Sequence, residues 1–198
     1  GTLLFRPAGH GALIENLNAI DADVIFVTHD HFDHYSVEDI KKVIKNDTII
    51  VVPETLNIKE FENEFTIIRV VNNSSYECRG IKFETVPAYN INKQFHPKVA
   101  GGVGYILEYE NVRYYIAGDT DVTEENRNVK CNVAFLPVGG TYTMDCREAA
   151  QLVNELKPEI TVPIHYGKVV GSSKDAEEFE KLVDDKIKVY KKWLNLRI

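Results

Sequence analysis

Seven residues, Thr28-His29-Asp30-His31-Phe32-Asp33-His34, carry three imidazoles and two carboxylates. No other stretch limits the chain's architecture so strongly. Imidazole with carboxylate is the donor set preferred by borderline divalent ions such as zinc, manganese or iron, and a cluster this dense has few structural uses. Its polar side chains are hard to bury without a charge to bind. The preceding run, Val24-Ile25-Phe26-Val27, is β-branched and aromatic and reads as a buried strand within Asp23 to Val27. That strand delivers His29 and His31 at its C-terminal end, where residues two apart in extended chain face one side.

The rest of the chain reads as alternating strands and helices. Ser36-x-x-Asp39 resembles a capping box, and Val37, Ile40, Val43 and Ile44 follow at helical spacing, predicting a helix over Ser36 to Lys45. Strands are expected at Thr48 to Val52, Phe65 to Val71 and Ile81 to Val86, with a short helix from Pro53 to Glu62. A long irregular loop, Ala88 to Gly102, holds Asn90 and His96, and loops of that length in compact domains are often functional. A hairpin, Val103 to Tyr109 and Val112 to Ala117, empties into Gly118-Asp119-Thr120. Val133 to Val138 and Ile160 to Ile164 are further strands, the second leading to His165. Helices follow Asp145 and span Lys174 to Asp184.

With 198 residues, 44% of them hydrophobic and 27% charged, the chain is long enough for one globular domain over residues 1–198, residues 1–22 being an atypical lead-in. No run approaches the roughly 20 apolar residues of a membrane helix, and the N-terminal residues lack signal-peptide grammar. A cytoplasmic protein without a membrane partner is expected. The net charge of −7 argues against nucleic acid as partner. Cys78, Cys131 and Cys146 are too few and too scattered for a disulfide framework and read as reduced thiols.

Several strands end in chemically capable residues: the 29–34 cluster, Asp119 and His165. If those ends share one edge the groups converge, the usual placement of a site on an α/β scaffold. His29-x-His31-x-Asp33-His34, then Gly118-Asp119-Thr120, then Pro163-Ile164-His165-Tyr166-Gly167, resembles the metallo-β-lactamase superfamily. The Ala-Gly-Asp-Thr-Asp and Leu-Pro-Val-Gly-Gly-Thr-Tyr-Thr-Met segments are most similar to its L-ascorbate-6-phosphate lactonase-like branch of metal-dependent hydrolases.

The resemblance implies an α/β fold, a four-layer αββα sandwich, here with a first sheet short of strands if residues 1–22 supply none. A homo-oligomer would then cover the gap. It also implies that His29 and His31 hold one ion, that Asp33, His34 and His165 hold a second, and that Asp119 bridges them. One or two divalent ions would serve, zinc first, with manganese or iron as alternatives. The implied chemistry is hydrolysis of a small, anionic ester, lactone or phosphodiester by a metal-activated hydroxide that Asp33 orients. One departure stands out. The family's further histidine for the first ion, expected after the Ile81–Val86 strand, is replaced here by Pro87-Ala88-Tyr89-Asn90. Asn90 or His96 is the candidate substitute, as metal ligand or substrate contact. Two alternatives remain: a metal- or ligand-binding module with weak or no turnover, and a phosphodiesterase or nuclease of the same superfamily.

Overall fold

The computed structural model describes residues 22–167 and 170–191. Expectations about residues 1–22 therefore lie, apart from Ala22, outside the described residues. Among the described residues, two sheets face each other. The smaller, in the order β1-β2-β3, consists of β1 (Ala22–Phe26), β2 (Ile44–Pro53) and β3 (Thr66–Val70), all parallel. The larger has seven strands: β4 (Ser75–Cys78), β5 (Ile81–Pro87), β6 (Val103–Tyr109), β7 (Val112–Ile116), β8 (Val133–Pro137), β9 (Ile160–Ile164) and β10 (Lys188–Val189), in the order β10-β9-β8-β7-β6-β5-β4. From β4 to β7 neighbours are antiparallel, and from β7 to β10 they are parallel.

Period-two alternation sorts each strand's side chains between layers. Phe26, Ile49, Val51 and Ile68 meet Phe83, Tyr105, Leu107 and Phe135 between the sheets. Ile25, Val27, Ile50 and Val52 point the other way, onto Ile40 of α1 (Val37–Val43) and onto Leu56, Ile58 and Phe61. Both faces of β1 and β2 are thus covered, which is why the strand before the histidine cluster is a continuous apolar run. The outer face of the large sheet, with Ile106, Tyr115, Ala134 and Leu136, packs on α2 (Cys146–Leu156) and α3 (Ser173–Leu182). The four layers are those of the αββα expectation.

The helix expected from Pro53 to Glu62 is absent. Pro53 closes β2, and the residues after it form successive turns. Leu56 and Ile58, two apart, are both buried, and an Asx-type contact from Lys59 N to Asn57 Oδ1 bends the chain between them and Phe61. The edge strands β4 and β10 lie outside the strands expected from the sequence, because both are short and carry polar residues. The helix after Ser36 stops at Val43, because Ile44 is already extended and pairs across from Ala22. All three cysteines are free thiols.

Strand direction positions the chemistry. Strands β7 and β9 flank β8, and all three run parallel. β5 is antiparallel to β6, which is antiparallel to β7, so β5 also points their way. The segments carrying His96, Asp119 and His165 therefore leave the large sheet from one edge. Strand β1 joins them there: Thr28 O accepts from Val103 N at 3.0 Å, and Val27 O accepts from the buried Tyr105 hydroxyl at 2.7 Å.

Candidate metal centre

At this edge the sequence-predicted residues form two adjoining groups. Ligand-capable atoms of His29, His31, His96 and Asp119 lie within 4.8 Å of one another, as do those of Asp33, His34 and His165. Asp119, 4% exposed, sits where the groups meet. Its Oδ2 is 3.1 Å from His165 Nε2, 3.3 Å from His96 Nε2 and 3.8 Å from His29 Nε2, while Oδ1 is 3.1 Å from His34 Nε2. Asp33 Oδ2 lies 3.5 Å from His165 Nε2 and 3.6 Å from His34 Nε2.

Local structure fixes each side chain. His34 N and Tyr35 N both donate to His31 O, closing a turn that Ser36 continues as the N-cap of α1. Gly118, at φ +68, turns the chain after β7 and comes so near Thr28 that a Cβ would sit 3.2 Å from the Thr28 Cβ. A Cβ on Gly139 would fall 2.2 Å from the carbonyl oxygen of His165, so only glycine permits the approach of the loops after β8 and β9. His165 and His96 adopt left-handed backbone, φ 55 and 58. Such conformations in non-glycine residues cluster at functional sites.

His96 reaches the first group because the loop after β5 folds back on itself. Asn90 N donates to His96 O at 2.8 Å, and Asn90 Nδ2 donates to Phe95 O at 2.8 Å and Tyr142 O at 2.7 Å. Asn90 thus braces the loop from behind the histidine and stands outside both ligand groups. The Tyr142 carbonyl also lies 3.1 Å from His96 Nδ1. His96 Nε2 faces His31 Nδ1 at 2.8 Å and Asp119 Oδ2 at 3.3 Å, and the tautomer with the proton on Nδ1, facing the Tyr142 carbonyl, is the one that leaves the Nε2 lone pair to a cation. Nothing in the local pattern marks this support from Tyr142; its one trace is that Tyr142 falls in the Gly-Gly-Thr-Tyr-Thr segment after β8.

Electrostatics at the edge are those of ligands in want of a cation. Burial, and then the neighbouring His34, pushes His29 down to about 2, leaving its imidazole neutral. Burial also lowers His96. His165 behaves oppositely: burial disfavours its charge, but hydrogen bonds to Asp119 and Asp33 outweigh burial and push it up to about 9. Burial likewise opposes ionisation of Asp119 and Asp33, yet their imidazole neighbours hold both below the usual carboxylate range. Among the described residues, buried His29 Nε2 has no hydrogen-bond partner, and buried His34 Nε2 and Asp119 Oδ1, 3.1 Å apart, have none but each other. Buried atoms of this kind are normally paired. Lone pairs of nitrogen and carboxylate oxygen converging on one place fit one or two divalent ions. A cavity of about 210 Å³, with Leu56 and Pro97 in its walls, opens onto the first group.

Residues 3–165 match the β-lactamase superfamily domain, so the chain belongs to that superfamily, the class defined by this sandwich and by a metal centre at its edge. Within it, the chain is a member of the UPF0173 family of metal-dependent hydrolases. It is 32% identical over 188 residues to the UPF0173 metal-dependent hydrolase of Thermococcus onnurineus, covering 91% of this chain and 83% of that protein. With the Pyrococcus horikoshii family member it shares 35% identity over 175 residues, 85% and 77% of the two chains. A crystal structure from Parabacteroides distasonis, named a metal-dependent hydrolase, superposes with a TM-score of 0.76 at 33% identity over 93% of this chain and 81% of that one. The metallo hydrolase Igni18 of Ignicoccus hospitalis shares the fold at 23% identity, with a TM-score of 0.72 over 96% and 82%.

Proposed function

We propose that this metal-dependent hydrolase cleaves a small, anionic ester, lactone or phosphodiester by attack of water at a two-ion centre. The observation carrying the reading is the junction at Asp119, where four imidazole nitrogens gather on one buried carboxylate and three of the buried donor atoms lack any other partner. His29, His31 and His96 would hold one ion, His34, His165 and Asp33 the other, with Asp119 between them. Zinc is the ion that this nitrogen-rich set favours. When bound, the ions supply a water acidic enough to act as a nucleophile near neutral pH and polarise the oxygen under attack.

The chain's own residues do the rest. Asp33, at the second group, accepts a hydrogen bond from the attacking water and directs its lone pair. Tyr142 and Asn90 keep His96 turned inward. The cavity over the first group, about 210 Å³, suits a small molecule. Similarity of the Ala-Gly-Asp-Thr-Asp segment to the L-ascorbate-6-phosphate lactonase-like branch supports a lactone among the substrates. Two cations at this edge would make it locally positive despite the net charge of −7, which suits an anion.

The test is metal analysis coupled to turnover. Zinc-loaded protein should hydrolyse members of a panel of lactones, carboxylic esters and phosphodiesters, and chelation should remove that activity reversibly. Protein that retains its ions but hydrolyses nothing above a His29→Ala/His31→Ala control would refute the reading and leave a binding module.

A further inference from the structure

The hydroxyl of Thr28, 8% exposed, occupies an unusual position. Its Oγ1 lies 3.0 Å from Nδ1 of His29 and 3.5 Å from Nδ1 of His34. Those imidazoles belong to different ligand groups, and their rings approach with centroids 4.0 Å apart. The opposite nitrogen of each ring, Nε2, is buried: that of His29 has no hydrogen-bond partner among the described residues, and that of His34 faces only Asp119 Oδ1, at 3.1 Å.

We propose that Thr28 is a positioning residue that sets the tautomer of both His29 and His34, so that a single hydroxyl prepares both metal sites together. The inference rests on the two-ion reading above. A neutral imidazole has one N–H and one lone pair, and the group facing one nitrogen decides which end carries the proton. The Thr28 oxygen has two acceptor lone pairs, enough to take an N–H from each ring. With both Nδ1 atoms donating to it, both Nε2 atoms present lone pairs towards Asp119. Outer-sphere contacts of this kind orient ligands and raise their basicity.

The surroundings hold the hydroxyl in place. The Thr28 carbonyl is tied to β6 through Val103 N, and Gly118 leaves room for the threonine methyl. Threonine thus sits where the small sheet meets the large one, and its position registers β1 against the edge that supplies Asp119. Serine keeps the oxygen, whereas valine keeps the shape and removes it.

The experiment compares wild type, Thr28→Val and Thr28→Ser. Zinc stoichiometry and affinity are measured by competition with a chromophoric chelator, and imidazole 15N chemical shifts are recorded with and without zinc. In wild type, His29 and His34 should both show the Nδ1–H tautomer. Thr28→Val should weaken both ions by about 10–100-fold and shift both rings towards mixed tautomers, with thermal unfolding little changed. Thr28→Ser should retain both the affinity and the tautomers. Unchanged affinity in Thr28→Val, or weakening of one ion only, would overturn the shared role while leaving the two-ion centre standing. Equal losses in valine and serine variants would also overturn it, since packing rather than the hydroxyl would then matter. A wild-type chain that takes up no ion would instead remove the two-ion reading itself, and this inference with it.

Discussion

The two ligand groups share one edge but are built differently. The second, Asp33, His34 and His165, stands on a hydrogen-bonded turn leading into α1 and on the residue directly after β9. The first draws His96 from a loop nine residues beyond β5 and depends on the Asn90 amide and the Tyr142 backbone carbonyl, both outside the group, to turn it inward. A donor delivered by a strand end is placed as soon as the sheet forms. One delivered by a long loop is placed only when that loop is braced, so the first ion should be the more easily lost.

Removing the shared element should have the largest effect. Asp119→Ala leaves neither group a bridging carboxylate and strands the His165 charge, so it should lose both ions and bring hydrolysis to the chelated level, read by metal content and turnover. Next comes the contrast between the groups. His165→Ala should lose the second ion outright, whereas His96→Ala should keep the second and weaken the first by more than the roughly 10–100-fold of an outer-sphere change. Equal loss in both variants would erase the distinction.

Asn90→Ala sharpens it further. Without its amide the Phe95 and Tyr142 carbonyls each lose one hydrogen bond, costing about 1–3 kcal/mol in chemical denaturation, and the first ion should weaken by about tenfold while the second is untouched. The smallest effect concerns protons. In the metal-free protein His165 is raised to about 9, so it is charged at neutral pH and must release its proton to become a ligand. Zinc affinity of the second group should therefore rise as pH increases from 6 towards 9. Calorimetry in buffers of different ionisation enthalpy should register the released proton.

Much of this was legible in the sequence, for identifiable reasons. The strands were legible in apolar patterns that report which faces are covered, as in Val24 to Val27, whereas the αββα sandwich came from the resemblance of the histidine and Gly-Asp-Thr motifs to the metallo-β-lactamase superfamily. His29, His31, Asp33 and His34 announced themselves by density, and Asp119 and His165 by standing at strand ends. His96 could be named only as one of two candidates, because nothing in its local spacing records that Asn90 and the distant Tyr142 carbonyl turn it inward. The segment after Pro53 failed for a related reason: its apolar residues satisfy a tertiary core, and turns present them as well as a helix would.

The most direct test is a crystal structure of the zinc-loaded protein with anomalous data at the zinc edge. The account predicts two peaks on either side of Asp119, one at about 2.0–2.2 Å from nitrogens of His29, His31 and His96, the other at such distances from His34, His165 and Asp33. A single peak, or two peaks with His96 turned away from both, would contradict it.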